Sequence, residues 1–415
     1  MKLASTEYDC IVIGGGPSGS TTAALVADAG YSVALLERDV EPRRKVGESL
    51  MPESYWVFER LGVLEGLKHG PFVEKVGVQF VSSSGKESSP FVFTRHDPRP
   101  CGRTWHVERA KFDQFLMDNA AKKGVEVHRG ARVLDVVFEG ERAVGVRMAD
   151  DPDQLIRAKV VVDASGQAGL LGARFALRTP NPKFRKAAIW GHFKGSRRDV
   201  IEDGVMTVCF RTQSNRSWFW HIPLSNDVVS IGCVSDADYF FRKGAGTPDE
   251  LFAQEVADCP AMAQRLAGTE KVAGLDVVKE YSYTTGKSSG DGWVLVGDSW
   301  GFIDPIYSSG VWFALKSGQL AADAIVEGIK KGDTTGAQLG KWVPDFAKGT
   351  TWVRKLAEAW YCGQFRVGKF IREYPHHVGP MTDILIGRIF QPGAGDLFDD
   401  LDPWLERMKS EGVTS

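Results

Sequence analysis

Gly14-Gly15-Gly16-Pro17-Ser18-Gly19 places glycines at the first, third and sixth positions of a short run. The chemistry this spacing serves is the cradling of a dinucleotide pyrophosphate. The first glycine permits a tight turn, the second lets backbone approach the phosphates, and the third lets a helix pack closely on a strand. The free N–H groups and positive dipole end of the next helix then face the anion. Glu37, followed by Arg38, ends the second strand, where a carboxylate accepts from ribose hydroxyls and disfavours a 2′-phosphate. Further on, Trp218-Phe219-Trp220-His221-Ile222-Pro223 alternates two indoles onto one strand face. Lys75 offers an ammonium, and Arg109 opens a helical segment, VERAKFDQFL. Taken singly, Lys75 and Arg109 read as solvated surface charges and the Trp pair as core packing.

The elements that must position these groups follow from hydrophobic periodicity. YDCIVI (8–13), PSGSTTAALVADA (17–29) and SVALLE (32–37) read as a strand, helix and strand, a βαβ unit of the expected size. Segments 76–81, 125–130, 132–140 and 142–148 alternate and read as antiparallel strands. Strands dominate again from about 187 to 235. Val162-Asp163-Ala164-Ser165-Gly166 and Gly297-Asp298 each close a buried strand, and residues 311–332 form a strong helix stopped at Gly332. The expected fold is α/β. Residues 1–75, 100–185 and 275–335 form a discontinuous Rossmann-like domain, and 76–99 and 186–274 an inserted mixed or antiparallel β-sheet domain for the substrate. Residues 336–415 form a helical C-terminal cap.

Bulk properties exclude several classes. The 51 Lys and Arg nearly balance 53 Asp and Glu, which argues against a nucleic-acid partner. Cys10, Cys101, Cys209, Cys233, Cys259 and Cys362 form no CxxC pair, so no metal site or disulfide framework is expected, and a reducing cytoplasmic setting is the simplest reading. The N-terminus lacks the apolar stretch of a signal peptide, and no run approaches the ~18 apolar residues that span a bilayer. Segment 350–374 mixes aromatic, basic and apolar residues; packing of its apolar face on the domain is preferred to a membrane or carrier-protein surface.

Gly297-Asp298, the Asp163–Gly166 turn and Arg109 resemble segments that contact the cofactor in FAD enzymes. WxWxIP at 218–223 resembles a hallmark of the flavin-dependent halogenases. Phe302-Ile303-Asp304-Pro305-Ile306-Tyr307-Ser308-Ser309-Gly310 matches their FxxPxxSxG pattern, and Gly47-Glu48-Ser49-Leu50-Met51-Pro52 resembles their GESLLP segment. The resemblance implies FAD held by Gly14, Gly16, Pro17, Ser18, Gly19, Glu37, Arg38, Arg109, Asp163, Gly166, Gly297 and Asp298. It implies a halide ion beside Pro305, Ser308, Ser309 and Gly310, and a catalytic Lys75. Trp218 and Trp220 would keep the organic substrate from the flavin. It further implies a small aromatic substrate, free or carrier-bound, and a separate flavin reductase, since no second GxGxxG occurs. The chain is shorter than the tryptophan-halogenating branch and looks closer to the branch acting on phenols, pyrroles or carrier-tethered aromatics. Glu74, Glu108 and Glu280 are candidates for a substrate-activating carboxylate only by proximity, and read better as surface groups. Three rival readings are a geranylgeranyl-reductase-like flavoprotein, against which Ile222 speaks, a single-component aromatic hydroxylase, and a flavin-binding protein without turnover that acts through partners.

Overall fold

The computed structural model describes residues 4–202, 204–242, 244, 246–279 and 282–411; Glu280 lies outside them. Two sheets dominate. In the first, the spatial order is Ser289–Gly290, Trp293–Leu295, Leu155–Asp163, Glu7–Ile13, Val33–Glu37 and Glu126–Arg129. The central neighbours pair in parallel, Ile11 opposite Ala34 and Val161. Helices cover such a sheet, so its strands are apolar throughout rather than alternating, as the buried run Val160–Val162 shows. A hairpin of Val133–Glu139 and Arg142–Met148 joins its edge through the start of Leu155–Asp163.

Segment 125–130 departs from expectation. Glu126–Arg129 is parallel to Val33–Glu37, with Leu35 opposite Val127. The cause is the helix Arg109–Lys122 before it, which carries the chain back across the sheet as a crossover must. Segment 76–81 departs in part: Val73–Val81 is antiparallel to Phe91–Val92 and Thr104–His106, but parallel to Gly204–Arg211.

The second sheet runs Glu270–Lys271, Lys186–Lys194, Val228–Asp236, Trp218–Pro223, Gly204–Arg211, Val73–Val81 and Phe91–Val92, with Asp276–Lys279, Val200–Ile201 and Thr104–His106 alongside. The long helix Ser309–Lys331 ends in a left-handed Gly332 at φ 70° and lies on Pro17–Asp28. Their approach is close enough that a Cβ on Gly318 would sit 2.6 Å from the Ser18 carbonyl oxygen. The helix Val343–Tyr361, in the C-terminal region, packs Val353, Leu356 and Trp360 inward. Arg211 of the second sheet lies 3.9 Å from the Trp360 ring centroid and donates to its carbonyl, so this part of segment 350–374 packs on the sheet. Among the described residues, no helix is long and apolar enough to cross one.

Candidate active site

A cavity of about 970 Å³ runs between the two sheets. At one end its wall is Gly14, Gly16, Pro17, Ser18, Glu37, Arg38 and the basic run Arg43–Lys45. Midway it meets Arg109, Gly166, Asp298, Pro305, Ser308 and Gly310. At the far end stand Trp190, Trp218, Trp220, Ser49, Thr207 and Cys209.

The glycine turn has the shape its spacing demands. Gly14 has φ +105°, and a Cβ there would lie 2.4 Å from the Ala164 carbonyl oxygen. Gly19 packs helix on strand, its missing Cβ falling 1.9 Å from the Gly14 oxygen. Gly16 borders open space. Glu37 accepts from the Gly15 and Asp39 N–H groups at 2.7 and 2.9 Å, which orients its carboxylate at the cavity rim. Arg109 is clamped by Asp113 through two bonds of 2.8 and 3.0 Å, and donates to the Val46 carbonyl. No hydrogen bond from the described residues reaches the Asp298 carboxylate. Burial raises it to about 6, against the pull of Arg109.

Three residues expected at the cofactor sit behind the wall. Asp163 is fully buried, and its carboxylate is taken up by Ser165, the Leu171 N–H and Ser299. It ties the Ala164–Gly166 turn and does not line the cavity. Gly297, at φ +58°, fits under Ser18, and Gly19 serves helix packing. Of the halide segment, Ser309 is likewise turned away, whereas Pro305, Ser308 and Gly310 line the cavity. Ser308 adopts the left-handed conformation, φ 58° and ψ 26°, immediately before the helix Ser309–Lys331. Non-glycine residues held there carry strain that surrounding structure must sustain.

The Trp pair is hydrogen-bonded at both indoles. Ring centroids of Trp218 and Trp220 are 6.2 Å apart. The Trp218 indole donates to Tyr361 Oη at 2.9 Å, and Tyr361 in turn reaches both oxygens of buried Asp304. Trp220 donates to Ser230 at 3.1 Å and lies across the neighbouring strand where a Cβ on Gly232 would meet its ring at 2.2 Å. Gly232→Val therefore displaces Trp220 and lowers stability by about 1–3 kcal/mol, the cost of overpacking, as urea denaturation will show.

Lys75 does not open directly on the cavity. It is 2% exposed, one side chain behind the wall, donating to Ser49 Oγ at 2.9 Å and to the Leu50 carbonyl at 3.0 Å. The Phe93 ring centroid is 5.3 Å from its nitrogen. Burial pulls it down to about 7. Glu74, on the opposite strand face, pairs with Arg103, and Glu108 with Lys111. Neither lines the cavity.

The family model described as "Tryptophan halogenase" matches residues 93–370, and that described as "FAD dependent oxidoreductase" matches residues 9–176. The chain belongs to the flavin-dependent halogenase family. It is 33% identical over 354 residues to a 1H-pyrrole-2-carbonyl-[peptidyl-carrier protein] chlorinase of Pseudomonas fluorescens, covering 80% of this chain and 78% of that one. It is 33% identical over 331 residues to the corresponding brominase of Pseudoalteromonas luteoviolacea, covering 79% of each. Among solved structures, the flavin-dependent brominase Bmp2 superposes with a TM-score of 0.85 at 28% identity, covering 97% of this chain and 99% of that chain.

As a member of this family the chain is an FAD-dependent oxidoreductase, and its residues fit the cofactor. Open space at Gly16, rim bases Arg43, Arg44 and Lys45 that are held in place by Asp39, Asp276 and Asp113, and an Asp298 carboxylate that no described residue hydrogen-bonds suit a diphosphate and a polyhydroxyl chain. Two groupings of ligand-type atoms, His376 with His377 and Asp400, and Glu53 with Asp97 and Cys101, lie outside the cavity wall. Asp97 in the second is already held by Arg99.

Ser49, Thr207, His106 and Trp190 carry no spacing signal that marks them for the site. Ser49 sits inside the GESLMP motif, and Thr207 shares a strand face with Cys209, which is the one local hint of a polar wall.

Proposed function

We propose that this flavin-dependent halogenase uses FADH2, O2 and chloride or bromide to halogenate an electron-rich aromatic, a phenol or pyrrole, free or tethered to a carrier protein. A separate flavin reductase supplies the reduced cofactor, and the cytoplasm is its setting, in keeping with six free thiols. The observation that carries this reading is one continuous cavity. It joins the dinucleotide cradle to the Trp218–Trp220 wall, with Lys75 buried behind the far end. The carrier-bound pyrroles named for the two bacterial relatives support the substrate class.

Bound reduced FAD supplies the electrons and the oxygen activation. The chain's residues hold and sort the reactants. Arg109 and the basic rim offset the diphosphate charge. Backbone N–H groups at the start of the helix Ser309–Lys331, beside Pro305, Ser308 and Gly310, offer an anion its donors. Trp218 and Trp220, pinned by Tyr361 and Ser230, keep bulky organic molecules from the cofactor end. Oxidised halogen moving along the cavity meets the Ser49 and Thr207 hydroxyls, with the Lys75 nitrogen directly behind them.

The test combines the purified chain, a flavin reductase, NADH, FAD, air and either halide with pyrrole-2-carbonyl carrier conjugates and free phenols. A halide-dependent mass increase in the product is expected. Oxygenated product without halide would instead mark a hydroxylase, and turnover of a prenyl lipid without oxygen a reductase.

A further inference from the structure

A line of hydrogen bonds runs behind the cavity wall from Lys75 to the proline of the WxWxIP motif. Lys75 Nζ donates to Ser49 Oγ. Ser49 Oγ lies 2.8 Å from Thr207 Oγ1, Thr207 Oγ1 lies 2.8 Å from His106 Nε2, and His106 Nδ1 lies 2.9 Å from the Pro223 carbonyl oxygen. All four side chains are buried, Thr207 at 3% exposure and His106 at 0%.

The direction of every bond is fixed from one end. A carbonyl oxygen only accepts, so His106 Nδ1 carries a proton. Burial, reinforced by nearby Lys75, holds His106 well below its ordinary value, so the ring is neutral and Nε2 has only a lone pair. Thr207 must donate to that lone pair. Its oxygen then accepts the Ser49 hydroxyl proton. Ser49 in turn can offer Lys75 nothing but a lone pair.

We propose that Thr207 and His106 are positioning residues for Lys75, transmitting the polarity set by the Pro223 carbonyl so that the Ser49 hydroxyl never donates into the amine. Lys75 then finds acceptors on this side, at Ser49 and Leu50, and its remaining nitrogen position stays uncommitted to the wall. The inference rests on the reading of Lys75 as a catalytic residue. Other groups facing this line do not supply that polarity. Cys209 is held protonated by burial, Glu74 is paired with Arg103, and Arg198 and neutral His221 face the His106 end.

Removing either relay residue reverses the line. In Thr207→Val the Ser49 proton is released and can turn to the Lys75 lone pair. In His106→Leu the Thr207 proton loses its acceptor and can turn to Ser49, with the same end result. Both changes favour the neutral amine. The experiment follows the Lys75 side chain by NMR in full-length protein labelled with 13Cε-lysine, with and without FAD, its resonance assigned by its disappearance in Lys75→Met. Thr207→Val and His106→Leu are expected to lower its titration midpoint by about one pH unit, the worth of a charge-assisted hydrogen bond. Thr207→Ser, which keeps the hydroxyl, is expected to hold the midpoint. Unchanged midpoints in both Thr207→Val and His106→Leu overturn the relay. So does a Thr207→Ser midpoint that moves as far as that of Thr207→Val. Loss of halogenation in Lys75→Met alongside unmoved midpoints rejects the relay while the functional reading stands. Undiminished halogenation in Lys75→Met rejects that reading, and the midpoints still decide the relay.

Discussion

Lys75→Met is expected to lower halogenation turnover by about 10²–10⁴-fold while FAD still binds. The lysine lies outside the dinucleotide cradle, so flavin affinity measured by fluorescence quenching should be unaltered. Its amine lies one side chain, Ser49, behind the far cavity end, and methionine replaces it at similar volume. The same substitution has a stability signature with a definite sign. In the unfolded chain the amine titrates near its ordinary 10.5, and in the fold near 7. Between those values the unfolded state binds more protons, so the contribution of Lys75 to stability rises with pH. Below about pH 7 the folded protein carries the full penalty of a buried ammonium. Lys75→Met should therefore be more stable than the wild type at pH 6, with the gap closing toward pH 10, as paired urea titrations at each pH will read.

Gly14→Ala and Gly16→Val are expected to weaken flavin binding strongly, for different reasons. At Gly14 a Cβ meets the Ala164 carbonyl at 2.4 Å in a backbone conformation with φ +105°. Strain of this kind is worth about 1–3 kcal/mol before the clash is counted, so the flavin-free protein itself should melt earlier. At Gly16 the backbone is extended, φ −71° and ψ −177°, which any residue adopts, and a Cβ meets no protein atom within 4 Å. Gly16→Val should leave the flavin-free melting temperature unchanged and yet weaken FAD by about 100-fold or more, a difference of about 2.7 kcal/mol. Calorimetric melting and flavin titration of the two variants separate the turn from the space it encloses.

This division also explains what could be read along the chain. The cradle is local: its glycines, first strand and helix are contiguous, and periodicity announces them. The Trp218–Trp220 face follows from a period of two. A strand-ending acid such as Asp163 looks the same in sequence whether it faces a ligand or ties its own turn, and only the fold shows its bonds to Ser165 and Leu171. The surroundings of Lys75 are nonlocal. They depend on a parallel register that sets Lys75 beside Val205, with an irregularity between Val205 and Met206. The His106 strand comes alongside in the opposite sense. No pattern within one segment encodes that Ser49, in a loop distant from the Lys75 strand, turns its hydroxyl toward that amine.

Cys209 bears on how such a catalyst outlives its own product. Cys209 lines the cavity at the end to which the proposed function assigns the electrophilic halogen, and sulfur anions are among the quickest traps for such species. Burial pushes this thiol up to about 12, so at neutral pH almost none is ionised. On that proposal, the burial that lowers the amine of Lys75 also keeps the neighbouring thiol protonated and slow to consume the oxidant.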